Sequence, residues 1–183
     1  MIKKSLLPLW LIMTMLALNA SSALGESGSL VNFKPPAQAK RIGALLAQPE
    51  EKMDFARIKL TIDKMVDPTI DIDMNLGRID TIVGQIREML GPKPTSNDKL
   101  KALRRYLYEP GSWNGHEAYR YDFDDPLGIK IVNKLLPNYL KTKKGQCVSM
   151  PFLFIVLGQR LGLDVVASTA PEHVFVKYTD DAG

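Results

Sequence analysis

The sequence predicts an α+β fold in which a central helix starts at Cys147 and a small antiparallel sheet carries His173. Three observations lead to this prediction. Residues 148–161 are apolar on nearly every side, as expected of a helix enclosed by other elements. Two short runs that follow it, 163–169 and 173–178, are typical of paired strands. Upstream, apolar stripes at helical spacing predict an N-terminal helical subdomain.

Residues 1–25 have the composition of a secretory signal peptide. Lys3 and Lys4 precede an apolar stretch at positions 6–18 that is shorter than a membrane-spanning helix requires. Small residues allow cleavage after Ala23 or Gly25. We therefore expect a periplasmic or secreted protein with no stable membrane insertion after cleavage. The alternative is an uncleaved N-terminal membrane anchor.

The composition of the remaining chain restricts its partners. It keeps 22 basic and 20 acidic residues, a charge balance too weak to favour nucleic acid. The chain has one cysteine and two histidines, which do not make a zinc site, so no metal or other cofactor is expected. His116 is expected in a polar surface loop. In an oxidising compartment the single Cys147 has no internal disulfide partner, so either chemistry or deep burial must account for it.

The chain divides into four predicted segments: a signal peptide at 1–25, a linker at 26–48 with a short helix near 41–46, a helical pair at 49–92, and a core at 93–183. The first helix of the pair is expected to begin at Pro49 and the second to end before Gly91. In the core, Ser96 is the predicted N-cap of a third helix. Asp124, Asp125 and Pro126 predict the start of a short helix that runs through Val132 to Leu136 and that Pro137 then disturbs.

The end of the sequence indicates a truncated fold. Pro151 is tolerable only in the first turn of a helix, so the central helix must start close to Cys147, and Gly162 caps its far end. Residues 179–183 read as a hairpin turn. No returning strand follows, and Asp180 and Asp181 are expected to be solvated turn residues.

Cys147 and His173 are the candidate nucleophile and its partner. A thiolate is the reactive form of cysteine, and both a helix N-terminus and a nearby imidazolium favour it. Free N–H groups of the first turn, with donors on Gln146 and Trp113, could hold a developing oxyanion. Spacing alone leaves a second interpretation open, in which the cysteine is buried and inert and the histidine is structural.

Gly145-Gln146-Cys147 and Pro171-Glu172-His173-Val174 together resemble motifs of the transglutaminase-like superfamily. The likeness covers roughly residues 53–178, and its upstream part resembles the branch of bacterial SirB-type proteins. The resemblance implies a papain-like fold and a Cys-His-Asp triad, with Cys147 as nucleophile, His173 as general base and acid, and Trp113 in the oxyanion site. The third triad member is expected beyond Gly183.

The resemblance implies a thiol enzyme that acts on amide bonds of a peptide or protein, and the predicted signal peptide implies that it is exported. A cysteine peptidase is expected first, with an acyl transferase or a glutamine deamidase as the related possibilities. Two alternatives remain: a binding module of the same fold without turnover, and a redox-responsive thiol that forms mixed disulfides. The substrate and the oligomeric state are not predicted.

Overall fold

A computed structural model describes residues 37–49, 52–171 and 173–179. The chain divides into two compact units, Met1–Glu50 and Glu51–Gly183. The first unit contains one described helix, α1 (Ala37–Leu46), within the range predicted as a linker. The predicted signal peptide and the last four residues of the predicted hairpin turn lie outside the described residues.

The second unit begins with two helices, α2 (Phe55–Val66) and α3 (Ile72–Glu88), which pack against each other. The prediction that the first of them begins at Pro49 is wrong. Asp54 is the N-cap, and its carboxylate accepts a hydrogen bond from the backbone N–H of Arg57. This cap fixes the helix start at Phe55, because it satisfies an N–H that has no partner inside the helix.

Helix α4 (Ser96–Tyr108) follows. Its N-cap is Thr95 and not Ser96 as predicted. Thr95 Oγ1 accepts from Asp98 N at 3.2 Å, and an Asp98 carboxylate oxygen accepts from Thr95 N at 3.0 Å. This reciprocal capping box satisfies two N–H groups, which Ser96 one position later would not do.

Short elements connect α4 to the central helix. A 3₁₀ turn (Ser112–Asn114) leads to β1 (Arg120–Tyr121), which pairs in parallel with β2 (Lys144–Gly145). Between these strands lie a 3₁₀ turn (Ile131–Lys134) and α5 (Leu136–Thr142).

The short helix predicted from Asp125 does not form as expected. Pro137 was predicted to disturb that helix, yet it lies in the first turn of α5. A proline is favourable there because its missing N–H would have no partner within the helix. Pro137 therefore helps to start a helix instead of breaking one.

Helix α6 (Ser149–Leu161) lies at the centre of the second unit. It contacts α2, α3, α4 and α5 as well as both strands of the following hairpin. It ends at Gly162, whose φ of 70° lies in the left-handed region that glycine adopts without strain. The hairpin consists of β3 (Val165–Ala170) and β4 (His173–Tyr178), which pair antiparallel. The mixed helix-and-sheet architecture agrees with the predicted α+β class.

A buried ion pair joins α2 to the start of α5. Lys59 donates to the carboxylate of Asp63, and both side chains are almost fully buried. The other oxygen of Asp63 accepts from Leu136 N at 2.8 Å, and Lys59 Nζ also donates to the carbonyl of Lys134. The first turn of α5 is therefore capped from another helix. Among the described residues, no helix is long and apolar enough to cross a membrane.

Candidate active site

One cavity of about 380 Å³ is lined by both Cys147 and His173. Residues of α4, β1, the first turns of α6 and strand β4 make its walls. Those walls are mainly apolar or aromatic, as in ligand sites generally. They include Tyr108, Tyr121, Met150, Phe154, Phe175 and Tyr178. The fold thus brings together the two residues that the sequence singled out, although 26 positions separate them in the chain.

The central helix was predicted to start at Cys147, but Ser149 is the first residue of α6 and Cys147 lies in the turn before it. The helical hydrogen-bond pattern already begins there, because Met150 N donates to the carbonyl of Gln146 at 3.0 Å. The cysteine is a free thiol and is half-buried, so a reagent in the cavity can reach it.

His173 is the first residue of β4 and is exposed. Its register partner across the hairpin is Ala170. The following residues, Val174 to Val176, line the same cavity, and Val174 is buried. The histidine is therefore carried at the end of a strand whose side chains form one wall of the site.

Tyr121 lies beside the cysteine. Burial raises the pKa of Tyr121, and the negative charges of Cys147 and the nearby aspartates add to that increase. Its hydroxyl donates to the carbonyl of Pro126 at 3.0 Å, which fixes the ring in the cavity wall. In the sequence, Tyr121 belongs to an alternating run from Tyr119 to Phe123, a pattern that carries no signal for the site.

Gln146 does not reach the cavity. It is 1% exposed, and its side-chain Nε2 donates to the carbonyls of Asp125 at 2.7 Å and Asp122 at 3.3 Å. Both amide hydrogens are thus used to hold the loop before α5. The prediction that the Gln146 side chain contributes to an oxyanion site does not agree with this geometry.

Trp113 is also absent from the cavity walls. Its ring lies over the guanidinium of Arg105, with the carbon Cζ 4.3 Å from the ring centroid, and covers Gly111. Its Nε1 is buried and has no hydrogen-bond partner among the described residues. The structure does not bring the predicted indole donor to Cys147.

A buried polar network braces the turn that carries Cys147. Asn133 Nδ2 donates to the carboxylates of Asp122 and Asp125, each at 2.9 Å. Ser149 Oγ donates to the carbonyl of Asn133 and accepts from Gln146 N at 2.9 Å. Although burial raises the pKa of Asp125, the hydrogen bonds that its carboxylate accepts bring it below its usual value. Asp125 Oδ2 accepts from Asn133 and Oδ1 accepts from Ile129 N at 2.9 Å, so each carboxylate oxygen has a donor, as a buried anion requires.

Close packing explains why a glycine occupies the first position of the Gly-Gln-Cys motif. A Cβ added at Gly145 would lie 2.6 Å from Cδ2 of Tyr139 and 2.7 Å from Oγ of Ser149. Distances this short cannot be accommodated without a shift of the tyrosine or of the brace described above. The three motif residues thus have different tasks: Gly145 allows close packing, Gln146 holds the loop, and Cys147 faces the cavity.

We expect Gly145→Ala to lower the free energy of unfolding by about 1–3 kcal/mol, the usual cost of overpacking a filled site. Urea unfolding followed by circular dichroism measures this. Gly77→Ala is the control, because no atom lies within 4 Å of its added Cβ in α3 and the change should be neutral or stabilising. Equal stability of the two variants would contradict the steric account.

No group of three or more His, Cys, Asp or Glu side chains in the described parts of the chain could hold a metal ion. A family model described as the transglutaminase-like superfamily matches residues 75–183, more than half of the chain. This match includes every residue that lines the cavity. Searches among curated proteins and among solved structures give no significant match.

Proposed function

The chain belongs to the transglutaminase-like superfamily, and from this premise we propose that it is a thiol enzyme with a papain-like fold that cleaves amide bonds of peptides or proteins. The observation that carries the proposal is the common cavity of Cys147 and His173. Two residues able to form a thiolate–imidazolium pair line a cavity with aromatic walls, and the nucleophile stands at the start of a buried helix.

In the proposed reaction, the Cys147 thiolate attacks the carbonyl carbon of the amide and forms a carbon–sulfur bond. The tetrahedral intermediate collapses, the carbon–nitrogen bond breaks, and the leaving amine takes a proton from His173. Water then attacks the thioester while His173 accepts its proton; the carbon–sulfur bond breaks, which releases the acid and restores the Cys147 thiolate beside the protonated His173. Backbone N–H groups of the turn before α6 are the proposed oxyanion donors, because the Gln146 side chain is engaged elsewhere.

Three further parts of the proposal rest on the sequence. Residues 1–25 support export to a periplasm or the cell exterior. The upstream resemblance supports the SirB-type branch of the superfamily. The superfamily pattern implies an aspartate that orients His173, and we propose that it lies beyond Gly183. None of the described residues lining the cavity is a carboxylate.

Alkylation of the single cysteine tests the proposed pair. At pH 6 we expect iodoacetamide to react with Cys147 in the folded protein about tenfold faster than in the urea-unfolded chain, because the pair maintains a thiolate. Rates at pH 9, where an unfolded thiol is mostly ionised, calibrate the accessibility of the sulfur. His173→Ala should remove the advantage at pH 6. His116→Ala, which changes the other histidine, should keep it.

The opposite result has a definite meaning. A folded protein that reacts no faster than the unfolded chain at pH 6, with no effect of His173→Ala, would exclude the thiolate–imidazolium pair. The non-catalytic binding module of the same fold would then be the better description. Resistance of activity to a mild, reversible oxidant would count against a redox-responsive thiol.

A further inference from the structure

Arg104 is the only side chain with a permanent charge among the described residues that line the cavity. It lies in the last half of α4, between Leu100 and Tyr108, which are also lining residues four positions away on either side. Residues spaced by four lie on one helix face. The guanidinium thus belongs to the face of α4 that borders the cavity containing Cys147 and His173.

The neighbouring arginine on the same helix, Arg105, has interaction partners within the protein. Arg105 lies over the Trp113 ring and forms an ion pair with Glu109 at 3.6 Å. Arg104 has no carboxylate within 4.0 Å among the described residues. Arg104 acts electrostatically on Tyr108: burial raises the pKa of that tyrosine, and the positive charge of Arg104 opposes the increase.

An arginine at the border of an apolar cavity, with no carboxylate partner in the described part of the chain, is suited to bind an anion. The guanidinium has donors in a planar fork that matches the two oxygens of a carboxylate. Aromatic and aliphatic walls lower the local dielectric constant and strengthen such a pair relative to one in open water. No other lining residue in the described part of the chain provides a fixed positive charge; His173 is positive only when protonated.

We propose that Arg104 binds a carboxylate of the substrate while Cys147 attacks an amide bond close to it. The substrate class is then a peptide with a negative charge near the bond that is cleaved. The carboxylate can belong to an acidic side chain or to a free C-terminus. This inference rests on the proposed function, because it names the substrate of the same site.

Two alkylating reagents of nearly equal size test the charge preference without a known substrate. Iodoacetate carries a carboxylate and iodoacetamide a neutral amide, and both react with the same thiolate. The ratio of their rates at Cys147 therefore cancels the fraction of thiolate and reports the preference of the cavity for an anion. The single cysteine makes Cys147 the only thiol that contributes.

We expect Arg104→Gln to lower the iodoacetate-to-iodoacetamide ratio about threefold, the order of one partly exposed ion pair. Arg105→Gln is the matched control and should leave the ratio unchanged, because that side chain is engaged with Trp113 and Glu109. Arg104→Lys should retain part of the preference, since charge remains but the fork is lost. Salt should weaken the preference of the unchanged protein and have less effect on the glutamine variant.

The outcomes separate this inference from the proposed function. A reactive thiolate whose ratio is the same in the unchanged protein and in Arg104→Gln would overturn the role of Arg104 alone. An equal loss in Arg105→Gln would also overturn it, because the effect would then be general surface charge. A cysteine in the folded protein that reacts with neither reagent would overturn both proposals.

Protection experiments distinguish the two sources of the carboxylate. Short peptides with a free C-terminus, with an amidated C-terminus, or with an internal glutamate and an amidated C-terminus compete with iodoacetamide for the cavity. Protection only by the first peptide indicates a terminal carboxylate, and protection by the third indicates an acidic side chain. Either protection should weaken in Arg104→Gln. Equal protection by all three peptides would contradict the proposal.

Discussion

Cys147→Ser is expected to abolish peptide hydrolysis, with a fall in kcat/KM of at least about 10³-fold. A serine hydroxyl remains almost fully protonated at neutral pH and lacks the nucleophilicity of a thiolate. The substitution only replaces the sulfur with an oxygen at a half-buried position, so the rest of the cavity should be preserved. Mass spectrometry of a set of short peptides, each with a carboxylate near one amide bond, measures the products.

Two comparisons make this result specific. Thermal unfolding of Cys147→Ser should match that of the unchanged protein, which shows that the loss is chemical. The double variant Cys147→Ser/His173→Ala should be no slower than the more damaging single variant, because residues that act as a unit have non-additive effects. Turnover by Cys147→Ser at the original rate would place the chemistry at another residue.

Asp63→Ala is expected to cause the largest loss of stability, with a decrease of about 3–5 kcal/mol in the free energy of unfolding. The change leaves the Lys59 ammonium buried without its anion and removes the acceptor of Leu136 N at the start of α5. Burial lowers the pKa of Lys59 and raises the pKa of Asp63, and their mutual attraction opposes both shifts. The attraction between the two charges offsets the cost of burying each of them. A substitution of one residue leaves the other charge buried without that attraction. Urea unfolding measures the loss.

A surface pair and a double variant provide the controls. Asp73→Ala breaks the exposed pair with Arg57 and should cost no more than about 1 kcal/mol. Lys59→Met/Asp63→Asn removes both charges and keeps a polar side chain near Leu136, so it should recover much of the loss. If Asp63→Ala were as stable as Asp73→Ala, the buried pair would have no structural importance.

Local patterns predicted the helices and strands of the second unit because apolar spacing reflects which face is buried. The same patterns failed where the decisive partner lies far along the chain. Helix α5 begins at Leu136 with help from Asp63, which is 73 positions earlier. Pro137 therefore appeared to break a helix when the local sequence was considered alone. The N-cap of α4 was misplaced by one residue because Thr95 and Ser96 both have suitable hydroxyls.

The candidate site was predictable only in part, for a related reason. Motif residues draw attention to Cys147 and His173, whereas the neighbours of these residues depend on how α4 and β4 pack around α6. Gln146 carries donors in any conformation, but only the fold shows that they are directed to Asp122 and Asp125. Arg104 had no distinguishing signal, because it is one of two adjacent arginines on an exposed part of a helix.

The two halves of the site are unequally anchored. Cys147 stands at the start of a helix enclosed by the core, whereas His173 belongs to a two-stranded hairpin in which Val174 is the one buried residue among those described. Two-stranded hairpins are only marginally stable by themselves, and lightly packed segments open locally at little free-energy cost. Transient opening of β3 and β4 would separate His173 from Cys147 without global unfolding. In the proposed enzyme, hairpin closure would then set the fraction of protein in which the two residues can act together, and a ligand bound against β4 would increase that fraction by favouring the closed state.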